Sequence, residues 1–191
     1  MKILSKKITI RQIVAIGFVV VLLLLAKPLP TLFWIGFTLS FMGELLRLWA
    51  CGYLHKNAEL AVSGPYAHLK HPLYMGTFLG FLGLLIAVSG PNPPGIYLCL
   101  IGIPFFLLVF FTYYLPKKNK TEKERMLKYF GEDFIRWDSE VPDFIPRLKP
   151  YSSGKKQKFD WRGILRNSES SMFLVFWAGW GFLFLKLHKI L

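Results

Sequence analysis

The stretch SGPYAHLKHPLYMG, Ser63 to Gly76, gathers two histidines, two tyrosines, a lysine and two prolines within fourteen residues. Gly64-Pro65 spells a turn. His71-Pro72 spells a helix start, because a proline in the first turn lacks only a donor that the helix leaves unused there. Such a start presents free backbone N–H groups and the positive end of the peptide dipole, which suit a carboxylate or a phosphate. Tyr and His are also ordinary interfacial anchors, so the stretch by itself fits either a ligand-binding mouth or plain turn chemistry. Glu44 and Arg47, three residues apart on one helix face, are a second chemical pair. They read either as a structural ion pair or as a pair whose Arg47 helps to line an internal site. Cys51 and Cys99 have no metal-ligand spacing, so no metal is expected and both read as packing residues.

The elements that must hold these residues are apolar helices. The chain has 191 residues, 53% of them hydrophobic and 18 of them phenylalanine, more apolar surface than a soluble domain of this size can bury. A bilayer core of about 30 Å needs roughly 20 helical residues to cross it. Four segments qualify: Ile13 to Ala26, extended at its start by Ile8 and Ile10; Leu32 to Leu54; Leu73 to Ser89; and Ile96 to Leu115. A fifth, Met172 to Leu187, is aromatic-rich and just long enough. The expected fold class is an all-α integral membrane protein with about five transmembrane helices and a cytoplasmic amphipathic helix and loop after the fourth.

Topology follows from the basic residues, which are retained on the cytoplasmic side. Of the 24 Lys and Arg, 20 fall before span one, between spans two and three, or between Lys117 and Arg166. Only Lys27, Lys186 and Lys189 fall on the other side, with Arg47 inside a span. The N-terminus is expected in the cytoplasm and the C-terminus opposite, in a bacterial inner membrane. A cleaved signal peptide is disfavoured, because LLLLAKPLP offers no small-x-small site and Pro28 follows at once. The net charge of +13 is mostly this positive-inside bias, so nucleic acid is not an expected partner. The cluster GKKQKFDWR around Lys155 reads as either an anionic-lipid contact or a solvated loop.

The turn SGPNPPG joins spans three and four in a tight hairpin. Pro116 is expected to end span four. Beyond it Thr121 to Trp137 has helical periodicity, with Met126, Leu127, Phe130, Phe134 and Trp137 in one apolar arc and Lys123 at its centre. VPDFIP stops that helix, because residues before Pro142 and Pro146 are pushed out of the helical region. The chain divides into residues 1–45, two N-terminal membrane helices up to the first part of span two; 46–150, the core; and 151–191, a basic linker and the fifth span.

LRLWACGYLHKNAELAVSGPYAHLKHPLYMG is similar to the signature of the isoprenylcysteine carboxyl methyltransferase family and its bacterial relatives. That signature runs GPY, four residues, then HP or NP, x, Y, x, G. Its second half is an acidic helix leading to FG, two spaced tyrosines, VP and a final P. Here it reads EKERMLKYFGEDFIRWDSEVPDFIP, so the resemblance spans about Leu46 to Pro146. It implies an integral membrane methyltransferase that uses S-adenosylmethionine, held at the cytoplasmic face by Tyr66, Lys70, His71, Pro72, Tyr74 and Gly76 from the first motif. Glu122, Phe130 and Phe134 come from the second, with Glu124 as an alternative carboxylate because Lys123 stands where the family has an adjacent Glu. Lys70 replaces the family's usual Arg, and Phe134 and Trp137 replace its two tyrosines.

The residue types suit that cofactor. A sulfonium and an adenine call for aromatic faces, and an amino acid end calls for charged partners. Methyl transfer demands alignment and exclusion of water. A carboxylate acceptor is already ionised and needs no base, whereas an amine or thiol would need one, for which His68 or His71 has a suitable range. Catalytic candidates are His71 and Arg47. The expected substrate is lipidic or lipid-attached, most readily a carboxylate. The alternatives are a phospholipid amine or small thiol acceptor on the same architecture, or a non-catalytic membrane scaffold or transporter.

Overall fold

The computed structural model describes residues 10–55, 58–152, 157–166 and 169–190, and every regular element among them is helical. The order is α1 (Ile10–Leu25), α2 (Pro30–Tyr53), a 3-10 turn at Gly64–Ala67, α3 (Pro72–Val88), α4 (Gly95–Glu140), α5 (Arg162–Arg166) and α6 (Glu169–Leu187). Two of them, α2 and α4, are long and apolar enough to cross a membrane; α1, α3 and α6 contribute shorter apolar stretches. Large apolar side chains cover the outside, with Leu100, Phe105 and Leu108 of α4 each at least 60% exposed. An apolar exterior of this kind marks a membrane protein.

The central contact is α2 against α3. Lipid supplies no hydrophobic drive between helices, so close approach of small residues takes its place. Gly36, Ser40 and Gly43 of α2 face Gly83, Gly80 and Gly76 of α3, and Ser40 donates to the Gly80 carbonyl at 2.8 Å. A Cβ on Gly43 would sit 2.5 Å from the Gly76 carbonyl oxygen, so any larger side chain there would force the backbones apart. Near the same crossing Arg47 lies 3.9 Å from Glu44 and donates to the Leu73 carbonyl at 3.3 Å and to the Thr77 hydroxyl at 2.5 Å. The helix α6 packs on α2 through Phe33, Trp180 and Leu183, and Lys186 donates to the carbonyls of Leu23 and Leu24 at the end of α1.

Pro116 does not end the helix of the fourth apolar segment: α4 continues through it, broken only at Gly131, and ends at Glu140. A proline inside a helix loses a hydrogen bond and clashes with the preceding turn. Each α4 proline follows a wider π-turn, Leu98–Gly102 before Pro104 and Phe110–Tyr114 before Pro116, which accommodates the ring without a stop. The real interruption is Gly131, at φ 50° and ψ −122°, a conformation that a residue without Cβ adopts cheaply. It resets the helical phase. Phe134 and Trp137 are buried, as the sequence arc predicts, and Met126 and Phe130 pack beside them, while Leu127, expected in the same arc, is turned outward. The helix ends at Glu140, with Val141 extended ahead of Pro142 as expected. Lys155 and its neighbour Lys156 lie outside the described residues.

Candidate functional site

The first motif folds as its residues suggest. Gly64 takes a positive φ of 59°, and the turn it opens ends in His71, the residue that caps α3 before Pro72. The turn is then fastened to the segment after α4. Lys70 N–H donates to the Pro142 carbonyl at 2.9 Å, Arg147 N–H to the His68 carbonyl at 3.0 Å and Tyr151 N–H to the Ala67 carbonyl at 2.8 Å. Trp137 Nε1–H donates to the Tyr66 carbonyl at 3.0 Å, with both residues buried. His68 turns its ring away, Nδ1 meeting the Arg147 carbonyl at 2.8 Å.

Between these segments lies a cleft of about 350 Å³, bounded by the end of α2, the first motif and α4. Of the residues expected there, Tyr66, Lys70, His71, Pro72, Tyr74, Glu122, Phe130 and Phe134 line it together. Gly76 and Arg47 sit instead at the α2–α3 crossing, where a Cβ on Gly76 would press on the Arg47 stem. Glu124 is exposed and is not part of the lining.

The charged groups form two connected sets. Glu122 accepts a hydrogen bond from the Tyr74 hydroxyl at 2.8 Å and pairs with His71 Nδ1 at 3.2 Å, with Arg125 at 3.7 Å. Burial pushes its carboxyl up, but the hydrogen bonds from His71 and Tyr74 and the nearby Arg125 outweigh this and hold it below its ordinary value. Lys70 reaches Asp138 and Asp143, each at 2.8 Å, and Asp138 also pairs with Lys123 across the Gly131 break. Burial alone would lower the Lys70 ammonium and raise the Asp138 carboxyl; their ion pairs reverse both, so Lys70 is raised and Asp138 lowered. A lysine suits this place because its three rotatable donors meet two carboxylates from different directions, which a planar guanidinium does less readily.

Several lining residues carried no sequence signal. His55 and Glu59, paired at 3.0 Å, extend the wall from the end of α2, and Asn119, Arg125 and Asp138 come from α4. Asn119 lies outside the two quoted stretches, and the other four lie within them at positions that the motif patterns leave variable. Among the described residues no group of three or more His, Cys, Asp or Glu could hold a metal ion.

Similarity to known proteins extends over about two thirds of the chain. The chain is 33% identical over 125 residues to the cobalt-zinc-cadmium resistance protein CzcN of Cupriavidus metallidurans, covering 64% of this chain and 51% of that protein. It is 30% identical over 131 residues to the nickel-cobalt-cadmium resistance protein NccN of Alcaligenes xylosoxydans, covering 68% and 55%. It is also 26% identical over 135 residues to protein-S-isoprenylcysteine O-methyltransferase of Xenopus laevis, covering 64% and 43%. The chain thus spans about half the length of these curated relatives. No protein-family model matches it, and no solved structure matches it at significance.

Proposed function

We propose that this chain is a bacterial relative of the isoprenylcysteine carboxyl methyltransferase family, a membrane-embedded methyltransferase that binds S-adenosylmethionine in the cleft. The observation that supports the reading best is the meeting of Tyr74 and His71 from one motif with Glu122 from the other. A carboxylate held ionised by two donors in a half-buried cleft suits an ammonium such as the cofactor's amino group. Tyr66, Phe130 and Phe134 offer ring faces to the adenine and the sulfonium, and Arg125 and Lys118 offer partners to its carboxylate. When bound, the cofactor supplies an electrophilic methyl group; the chain's task is to align it and exclude water.

The acceptor is a lipidic or lipid-attached carboxylate entering from the bilayer at the cytoplasmic face. Both ring nitrogens of His71 are engaged, one by Glu122 and one by Asn119 at 3.3 Å, so His71 as placed orients its neighbours and does not meet a reacting atom. An acceptor that arrives ionised fits that arrangement better than an amine, which needs a base. Five spans, with the N-terminus in the cytoplasm and the basic segment around Lys155 against anionic lipid, complete the proposal.

A second reading rests on the names of two relatives, which are metal-resistance proteins: the chain is then a membrane component without methyl transfer. Calorimetry on the purified protein with S-adenosylhomocysteine separates the two. Saturable binding is expected, and Glu122→Gln is expected to weaken it about tenfold by removing one charge-assisted bond. No heat of binding at millimolar ligand would sink the enzyme reading.

A further inference from the structure

Glu122 is held by more than its two direct partners. Behind His71 stands Asn119, one turn earlier on α4, whose Oδ1 lies 3.3 Å from His71 Nε2. Its Nδ2 donates to Asp143 Oδ2 at 3.0 Å, and Asp143 also takes Lys70. A carboxylate only accepts, so the amide must turn its NH₂ toward Asp143, which leaves its carbonyl oxygen facing His71. An acceptor at Nε2 requires an N–H there, and the carboxylate at Nδ1 requires a second. His71 is thereby fixed in one orientation, its ring 5.3 Å from that of Tyr74 and Lys70 beside it in the chain, with Glu122, Asn119, Lys118 and Arg125 facing the same space from α4.

We propose that Asn119, with its amide oriented by Asp143, is a positioning residue that acts through His71 to hold the Glu122 carboxylate in the cleft. The inference rests on the proposed function in one respect only, namely that Glu122 receives the cofactor's ammonium. Asp143→Ala removes the acceptor that orients the amide, so that the Asn119 oxygen is no longer kept facing Nε2 and the hold on the ring is weakened.

The test has a cofactor-independent arm. Proton–nitrogen spectra of the protein in detergent, with ¹⁵N-labelled histidine, are expected to show a hydrogen-bonded Nε2–H on His71. That signal is lost in Asn119→Ala and kept in Asn119→Asp, which retains an acceptor, whereas Lys120→Ala leaves it unchanged. A bare Nε2 in the unsubstituted protein, or a signal indifferent to Asn119→Ala, would overturn the proposal whether or not the cofactor binds. The second arm is a double-mutant cycle on S-adenosylhomocysteine affinity. Asn119→Ala alone is expected to weaken binding about fivefold, and to add less than about twofold once Glu122 is already Gln, because the residue it acts on is gone. Losses that simply multiply would exclude the route through Glu122. Absence of binding by the unsubstituted protein would remove the functional reading and leave the spectroscopic arm to decide this one.

Discussion

At the scale of single residues, the cleft is built from exchanges between two segments about 50 residues apart. Lys70 shows how such an exchange can be measured. Its folded value lies above its ordinary 10.5, so its pairing contributes fully below pH 10.5 and is lost as pH rises beyond it. Asp138 lies below its ordinary 3.8, so its contribution is complete above pH 3.8 and disappears as pH falls through the folded value. The melting-temperature difference between the native protein and Asp138→Asn is therefore expected to stay level through the neutral range and to shrink below pH 3.8. A difference that peaks near neutrality would mean that other groups govern the pair. Much of this set was legible in sequence, since Tyr66, Tyr74, His71 and Glu122 lie in recognisable patterns. Asn119 and Asp138 were not, because their places depend on where α4 crosses the first motif, and His55 was not, because it enters from the end of α2.

At the scale of elements, α4 decides the site. A helical projection drawn continuously from Thr121 to Trp137 puts Lys123 in the apolar arc, and Lys123 does line the cleft beside Met126 and Phe130, where it pairs with Asp138 across the Gly131 break. A Cβ at Gly131 would meet open space, so its conformation and not crowding is what demands glycine. Gly131→Ala is expected to cost about 1–3 kcal/mol through backbone strain. It should also loosen Phe134 and Trp137, seen as a rise in tryptophan exposure to a water-soluble quencher. Unchanged stability and quenching would show that the break is maintained by packing alone. The α2–α3 crossing was hidden for a different reason: glycines scattered through apolar sequence declare themselves as a contact only when the partner helix is in place.

At the scale of the whole molecule, the cleft lies at one end of the helices and the α3–α4 turn at the other. The proposed topology places these ends on opposite sides of the membrane. In a Cys99→Ser background, Leu148→Cys and Asn92→Cys both present exposed positions, the first after α4 and the second in the turn. A membrane-impermeant maleimide is expected to label Asn92→Cys in spheroplasts and Leu148→Cys only after lysis. Labelling of both from one side would refute the orientation drawn from the basic residues.

Composition and periodicity alone determined that this chain is helical and suited to lipid, since apolar runs of these lengths leave few other solutions for the backbone. Motif order alone pointed to the resemblance to the isoprenylcysteine carboxyl methyltransferase family. Only the tertiary structure decided which residues share the cleft, that Pro116 lies within a continuous helix, and that Gly76 packs a crossing while Glu122 faces a cavity. The physical reason is that sequence patterns report local periodicity and spacing, whereas the phase of α4 around the first motif is set by two π-turns, one glycine and ion pairs between distant segments.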